Sequence, residues 1–255
     1  MPHNLGLNRP LKAWPVFWPL LLTCLSLTAV PALPTWAANP PTPGDRPIAA
    51  KPEPQTAPDY VKVGREARDR DRQIRYFSKA IELDPDCMEA YFWRGIAYEA
   101  RKENDKALAD FNRSLDLNPK RAANYIWRAI ALANRGDYDR ALADLNQALV
   151  LEPRYGWAYF HRGRVQALRG QLDQALDDLD WAVIIDPFNG PAFLERGKIH
   201  LKKRAYDIAV ADFSKSIGSD SKNYLAYYFR AQAYQALGET AKAQADLDKY
   251  HEFRP

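Results

Sequence analysis

The chain has 255 residues, of which 47% are hydrophobic, 27% charged and 12% aromatic, enough apolar content for a sizeable core and too much for a wholly disordered protein. The formal charge is only +4 and both signs are interleaved, which argues against a nucleic-acid partner. With only Cys24 and Cys87 and four scattered histidines that make no HExxH pair, a disulfide framework and a Cys-rich zinc site are excluded, and neither a metal nor a cofactor is expected.

Arg9 and Lys12 precede an uncharged stretch from Ala13 to Gly44 whose apolar centre runs from Val16 to Val30. This pattern reads as a signal peptide over residues 1–37, cleaved after Ala37, with Ala32 or Ala38 as alternative sites. It predicts export to a periplasm, another extracytoplasmic lumen or the exterior. The rival reading is a membrane anchor over residues 13–37, which Pro15, Pro19, Pro31 and Pro34 weaken as a continuous helix. Residues 38–57 follow as a Pro-rich linker with few side chains large enough to pack, an extended and solvated spacer.

Beyond residue 58 the sequence repeats with a period of about 34 residues, the interval from Gly95 to Ala129. Gly95, Ala129, Gly163, Gly197 and Ala231 form one column and Ala107, Ala141, Ala175, Ala209 and Ala243 a second, both small where two helices must approach closely. Phe77, Phe111, Leu145, Leu179, Phe213 and Leu247 form a bulky third column. Pro85, Pro119, Pro153, Pro187 and Pro255 form a fourth that ends each unit, with Ser221 as its one break. Apolar residues at helical spacing predict two amphipathic helices per unit, such as Met88 to Arg101 and Asn104 to Leu117. Gly136, Gly170 and Gly238 fall between the two, where a left-handed cap is wanted.

Tyr91, Gly95, Tyr98, Ala107, Phe111 and Pro119 resemble, in type and spacing, the tetratricopeptide repeat (TPR). The resemblance implies an all-α fold, a right-handed α-solenoid of stacked helix-turn-helix repeats. Five full units are expected at 88–121, 122–155, 156–189, 190–223 and 224–255. A degenerate first unit at 58–87 caps the array, since Gly64 lies three positions closer to Pro85 than Gly95 does to Pro119.

In each full unit an arginine (Arg94, Arg128, Arg162, Arg196, Arg230) precedes an aspartate (Asp110, Asp144, Asp178, Asp212, Asp246) at one fixed separation, with one of the two on each helix. An inter-helix ion pair with a structural role is the natural inference. No phosphate loop, paired-carboxylate motif or nucleophile elbow is present, so no enzymatic activity is expected.

The resemblance further implies that the inner face, built from the first helix of each unit, binds an extended or helical peptide segment of another protein. The candidate groove residues are Phe92, Trp93 and Ile96; Ile126, Trp127 and Ile130; Trp157, Phe160, His161 and Arg164; Lys198; and Tyr228, Phe229 and Gln232. Lys and Asn, which clamp a C-terminal carboxylate in one subtype of the family, are replaced at these positions by apolar or aromatic residues. The order of apolar residues followed by Arg164 and Lys198 suits a partner with an apolar or aromatic stretch followed by an acidic residue. Such a chain would be a non-catalytic adaptor or, alternatively, a chaperone-like assembly factor for envelope or membrane complexes. Membrane contact is expected only through an uncleaved N-terminus.

Overall fold

The computed structural model describes residues 54–255; the expected signal or anchor of residues 1–37 and the spacer up to residue 53 lie outside the described residues. Among the described residues the chain forms α-helices and no strand, in six hairpins. These are α1 (Ala57–Glu66) with α2 (Arg70–Leu83), α3 (Met88–Ala100) with α4 (Asn104–Leu117), α5 (Ala122–Arg135) with α6 (Tyr138–Leu151), α7 (Gly156–Leu168) with α8 (Leu172–Ile185), α9 (Gly190–Lys202) with α10 (Tyr206–Ser219), and α11 (Tyr224–Ala236) with α12 (Thr240–Phe253).

Each second helix packs on the first helix of the next hairpin, and successive first helices also touch one another, α1 with α3 through to α9 with α11. Successive second helices do not. The first helices therefore lie on the inside of the curve. The assembly is a right-handed α-solenoid of stacked helix-turn-helix repeats.

The repeat columns explain the packing. Phe77, Phe111, Leu145, Leu179 and Phe213 are the largest side chains at the centres of their hairpins and are all but fully buried. Where that residue is Phe, its first-helix partner is glycine: a Cβ added at Gly95 or Gly197 would lie 2.7 Å from the ring of Phe111 or Phe213. Opposite Leu145 an alanine fits, and Ala129 is fully buried there. Three of the turns use left-handed glycine, Gly136, Gly170 and Gly238, with φ of 91°, 80° and 79°. Lys102 and Arg204 take the same conformation at φ 62° in two others, at the cost of a Cβ crowding the backbone.

Every full hairpin contains the anticipated Arg–Asp pair as a two-pronged contact. Arg Nε and Nη2 donate to the two carboxylate oxygens over 2.6–3.0 Å in all five pairs, from Arg94–Asp110 to Arg230–Asp246. The hydrogen bonds to Asp144, Asp178 and Asp246 hold Arg128, Arg162 and Arg230 above the ordinary arginine value. The remaining prong, Nη1, reaches back to the preceding second helix: Ser78 Oγ, Asn112 Oδ1, Asn146 Oδ1, Asp180 Oδ1 and Ser214 Oγ at 2.7–3.0 Å. One guanidinium thus ties two repeats together.

A second ladder crosses the first four joints at the helix ends, pairing Arg101 with Asp71, Arg135 with Asp105, Arg169 with Asp139, and Lys203 with Asp173. It stops at Leu237, which stands where the next cation would face Asp207.

Candidate functional site

The inner face follows from the register of the first helices. The residue after the column of Gly95 and its equivalents points inward: Ile96, Ile130, Arg164, Lys198 and Gln232 form a half-buried row, one residue per repeat. Two adjoining clefts open along its central part, beside Ile130, Arg164 and Lys198. A narrow slot of about 30 Å³, large enough for the tip of one side chain, lies between α5 and α7 and is lined by Ile130, Ala133, Asn134, His161, Arg164 and Leu168. A wider cleft of about 320 Å³ lies between α7 and α9 and is lined by Arg164, Leu168, Leu172, Glu195, Lys198 and Lys202. The two share Arg164 and Leu168 and are neighbours along the same path.

The other expected groove residues divide by depth. Phe92, Ile126, Phe160 and His161 are 3%, 0%, 4% and 6% exposed and belong to the interior, which corrects their assignment as ligand contacts. In α3, α5 and α7 the approach of successive first helices closes over the residue four positions before the inward row, and in α7 also over His161, three positions before it. Trp93 and Trp127 are half-buried against the central core. Trp157 is exposed, with Phe160 at 5.4 Å and His161 at 4.6 Å between ring centroids. Phe229 is half-buried and stacks on Phe213, and Tyr228 at the end of the array is exposed.

Electrostatically the wide cleft is basic. Lys198 donates to both carboxylate oxygens of Glu195 at 2.8 and 3.0 Å, so its charge is largely answered within the protein. Arg164 makes no ion pair among the described residues; its guanidinium lies 5.6 Å from the Phe160 ring centroid. Burial, helped by the nearby Arg164 charge, pushes the His161 imidazole down to about 3, so it is neutral at physiological pH. Its Nε2 has no hydrogen-bond partner among the described residues.

Leu168, 61% exposed at the junction of the two clefts, was missed by the sequence reading, as were Lys202 and Asn134. The signal was available: each stands four residues beyond the inward row, one helical turn along the same face. On the opposite side of the array Val150, Trp181, Ile184 and Phe188 are exposed on or just after second helices, a feature the repeat columns did not flag. No group of three or more His, Cys, Asp or Glu side chains that could hold a metal occurs among the described residues. Cys87 is a free, half-buried thiol that burial pushes up.

No curated protein sequence matches the chain. Among solved structures, the APC/C hetero-tetramer Cut9–Hcn1 aligns with a TM-score of 0.74 at 17% identity, covering 80% of this chain and 41% of that one, so the chain spans less than half of that relative. PilW, described as a type IV pilus biogenesis factor, aligns with a TM-score of 0.69 at 21% identity over 76% of this chain and 91% of that one. YrrB, described as a TPR protein with an unusual peptide-binding site, aligns with a TM-score of 0.53 at 23% identity over 70% and 92%. At these identities the likeness is one of fold. The family model described as tetratricopeptide repeat matches residues 65–122, 128–190 and 194–255, well over half of the chain. Together with the period, the helix hairpins and the Gly–Phe contacts, this match establishes that the chain belongs to the tetratricopeptide repeat family.

Proposed function

We propose that the protein is a non-catalytic adaptor that takes a peptide segment of a partner protein along the inner face of the array. TPR folds are in general protein-interaction scaffolds. The observation that carries the finer reading is the inward row from Ile96 and Ile130 to Arg164 and Lys198, opening into two adjoining clefts. An apolar side chain in the slot beside Ile130 and an acidic one beside Arg164 and Lys202 fit that order, so a partner with an apolar stretch followed by an acidic residue is the best match. Residues 1–37 would export or anchor the array and residues 38–57 would hold it away from its attachment point, with the array itself at 58–255. No helix among the described residues is long and apolar enough to cross a membrane.

Affinity capture from the native envelope fraction tests the reading, with the intact array compared to an Arg164→Glu, Leu168→Asp double variant of equal melting temperature. A partner lost from the variant supports it; equal capture rejects it. Trp127→Ala, measured for melting temperature and affinity on one sample, separates a groove contact from a core residue. A chaperone-like assembly role is favoured by the exposed apolar side chains of Trp181, Ile184 and Phe188 on the other face. That role requires suppression of aggregation of unrelated unfolded proteins, sensitive to Trp181→Glu and not to Arg164→Glu.

A further inference from the structure

A cavity of about 510 Å³, larger than either cleft just described and separate from both, lies where the first hairpin meets the second. It borders a shortened helix. Gly64 and Gly95 are both the eighth residue of their helices, but α1 stops after 10 residues whereas α3 continues to 13. Beside the short end of α1 and the start of α2 lies a notch floored by Trp93 and Ile96 and walled by Lys62, Arg65, Glu66 and Arg70.

We infer that this notch is a separate subsite for a carboxylate beside an apolar or aromatic side chain, presented by an acidic peptide segment. Three cations face a single carboxylate there; none of Lys62, Arg65 and Arg70 forms an ion pair among the described residues, and Arg70 donates from Nη1 to Gln73 Oε1 at 2.7 Å. The Arg65 guanidinium lies 4.7 Å from the Trp93 ring centroid, which backs the planar cation with an aromatic face and leaves its donor edge free for a carboxylate. A cavity of this size takes two side chains. Glu66 in the wall and Glu99 farther along the inner face add repulsion against a continuous polyphosphate, which favours a peptide over a nucleic acid. The chain's own spacer is a poor occupant, since over residues 38–53 Asp45 and Glu53 are balanced by Arg46 and Lys51. The inference shares with the groove reading the class of partner and Ile96, the residue at the N-terminal end of the inward row, but neither of the two clefts.

The test uses the full chain labelled with ¹⁵N at its tryptophan indoles and the acetylated, amidated hexapeptide Ser-Gly-Glu-Phe-Gly-Ser, with the Trp93 signal assigned by Trp93→Phe. A saturable shift of that signal is expected, weakened about tenfold or more when Gln replaces Glu in the peptide and by Arg65→Glu or the Lys62→Ala, Arg70→Ala pair. Arg164→Glu should leave it unchanged, so failure here and failure of the inner-face clefts are read separately. Acetyl-Gly-Ser-Phe with a free C-terminus, compared with its amide, shows whether a terminal carboxylate serves as well as a side chain; either source supports the subsite. Equal response to the Glu and Gln peptides, full retention by Arg65→Glu at unchanged melting temperature, or displacement of the peptide by an equimolar mixed-sequence oligonucleotide overturns the inference. So does a Trp93 shift produced, without peptide, by Asp45→Asn and Glu53→Gln, which would show the spacer filling the notch.

Discussion

The first hairpin and the second solve one packing problem in two ways. In α1–α2 Gly64 lies against Phe77, and in α3–α4 Gly95 lies against Phe111. The first of these pairs is closer in sequence by three positions, so the same glycine–ring contact survives the loss of a helical turn. What does not survive is the ion pair. Val63 and Tyr76 stand where the later hairpins carry arginine and aspartate. In the full hairpins Nη1 of that arginine binds the preceding second helix, as Arg94 binds Ser78 of α2. A small residue against a bulky one is thus common to all the described hairpins, whereas the arginine is a joint from each full hairpin to the described helix before it.

The sharpest way to break this comparison is to remove one half of a pair. Arg162→Ala and Asp178→Ala should each cost about 3–5 kcal/mol in urea unfolding, since the stranded partner is a largely buried charge, and the double variant should lose less than the sum. Val63→Ala in the first hairpin should cost far less; equal losses would show that the pair is not a joint. Gly95→Ala and Gly64→Ala come next, at about 1–3 kcal/mol, because the new methyl meets a Phe ring at 2.7 and 2.5 Å. Gly163→Ala, which meets Leu179 at 3.0 Å, should be milder, and a matching loss there would refute the glycine–ring rule.

A third measurement exploits one column in two environments: Lys62 is exposed in α1, whereas His161 at the equivalent place in α7 is buried. The folded imidazole stays neutral down to about 3 while the unfolded one protonates near 6.5, so the unfolded state binds more protons between those values. Its contribution is present above pH 6.5 and falls by about 1.4 kcal/mol per pH unit as the pH drops. His161→Phe should flatten the stability profile between pH 7 and 5; an unchanged slope would contradict the burial. The smallest effect concerns the turns. Lys102→Gly and Arg204→Gly should raise stability by up to about 1 kcal/mol by relieving left-handed strain. Ala67→Gly at the end of α1, where φ is −68°, should instead lower it.

Sequence alone determined the repeat length, the helix pairs, the left-handed glycines and the Arg–Asp pairs, because each is a relation between residues at fixed separation within one unit. The inward row through Ile130, Arg164 and Lys198 was legible for the same reason: a helix face repeats every three to four residues. Which neighbouring columns reach solvent was not legible. Phe92, Ile126, Phe160 and His161 read as groove lining, yet they are covered by the approach of successive first helices, a relation between units that no spacing within a unit encodes. The deficit of three positions before Pro85 was visible in the sequence, while the notch over Trp93 is formed by α1, α2 and α3 together and has no counterpart in the spacing within one unit. Tertiary structure decided both matters through one physical fact, that burial at a given position depends on the helix packed beside it in the next unit.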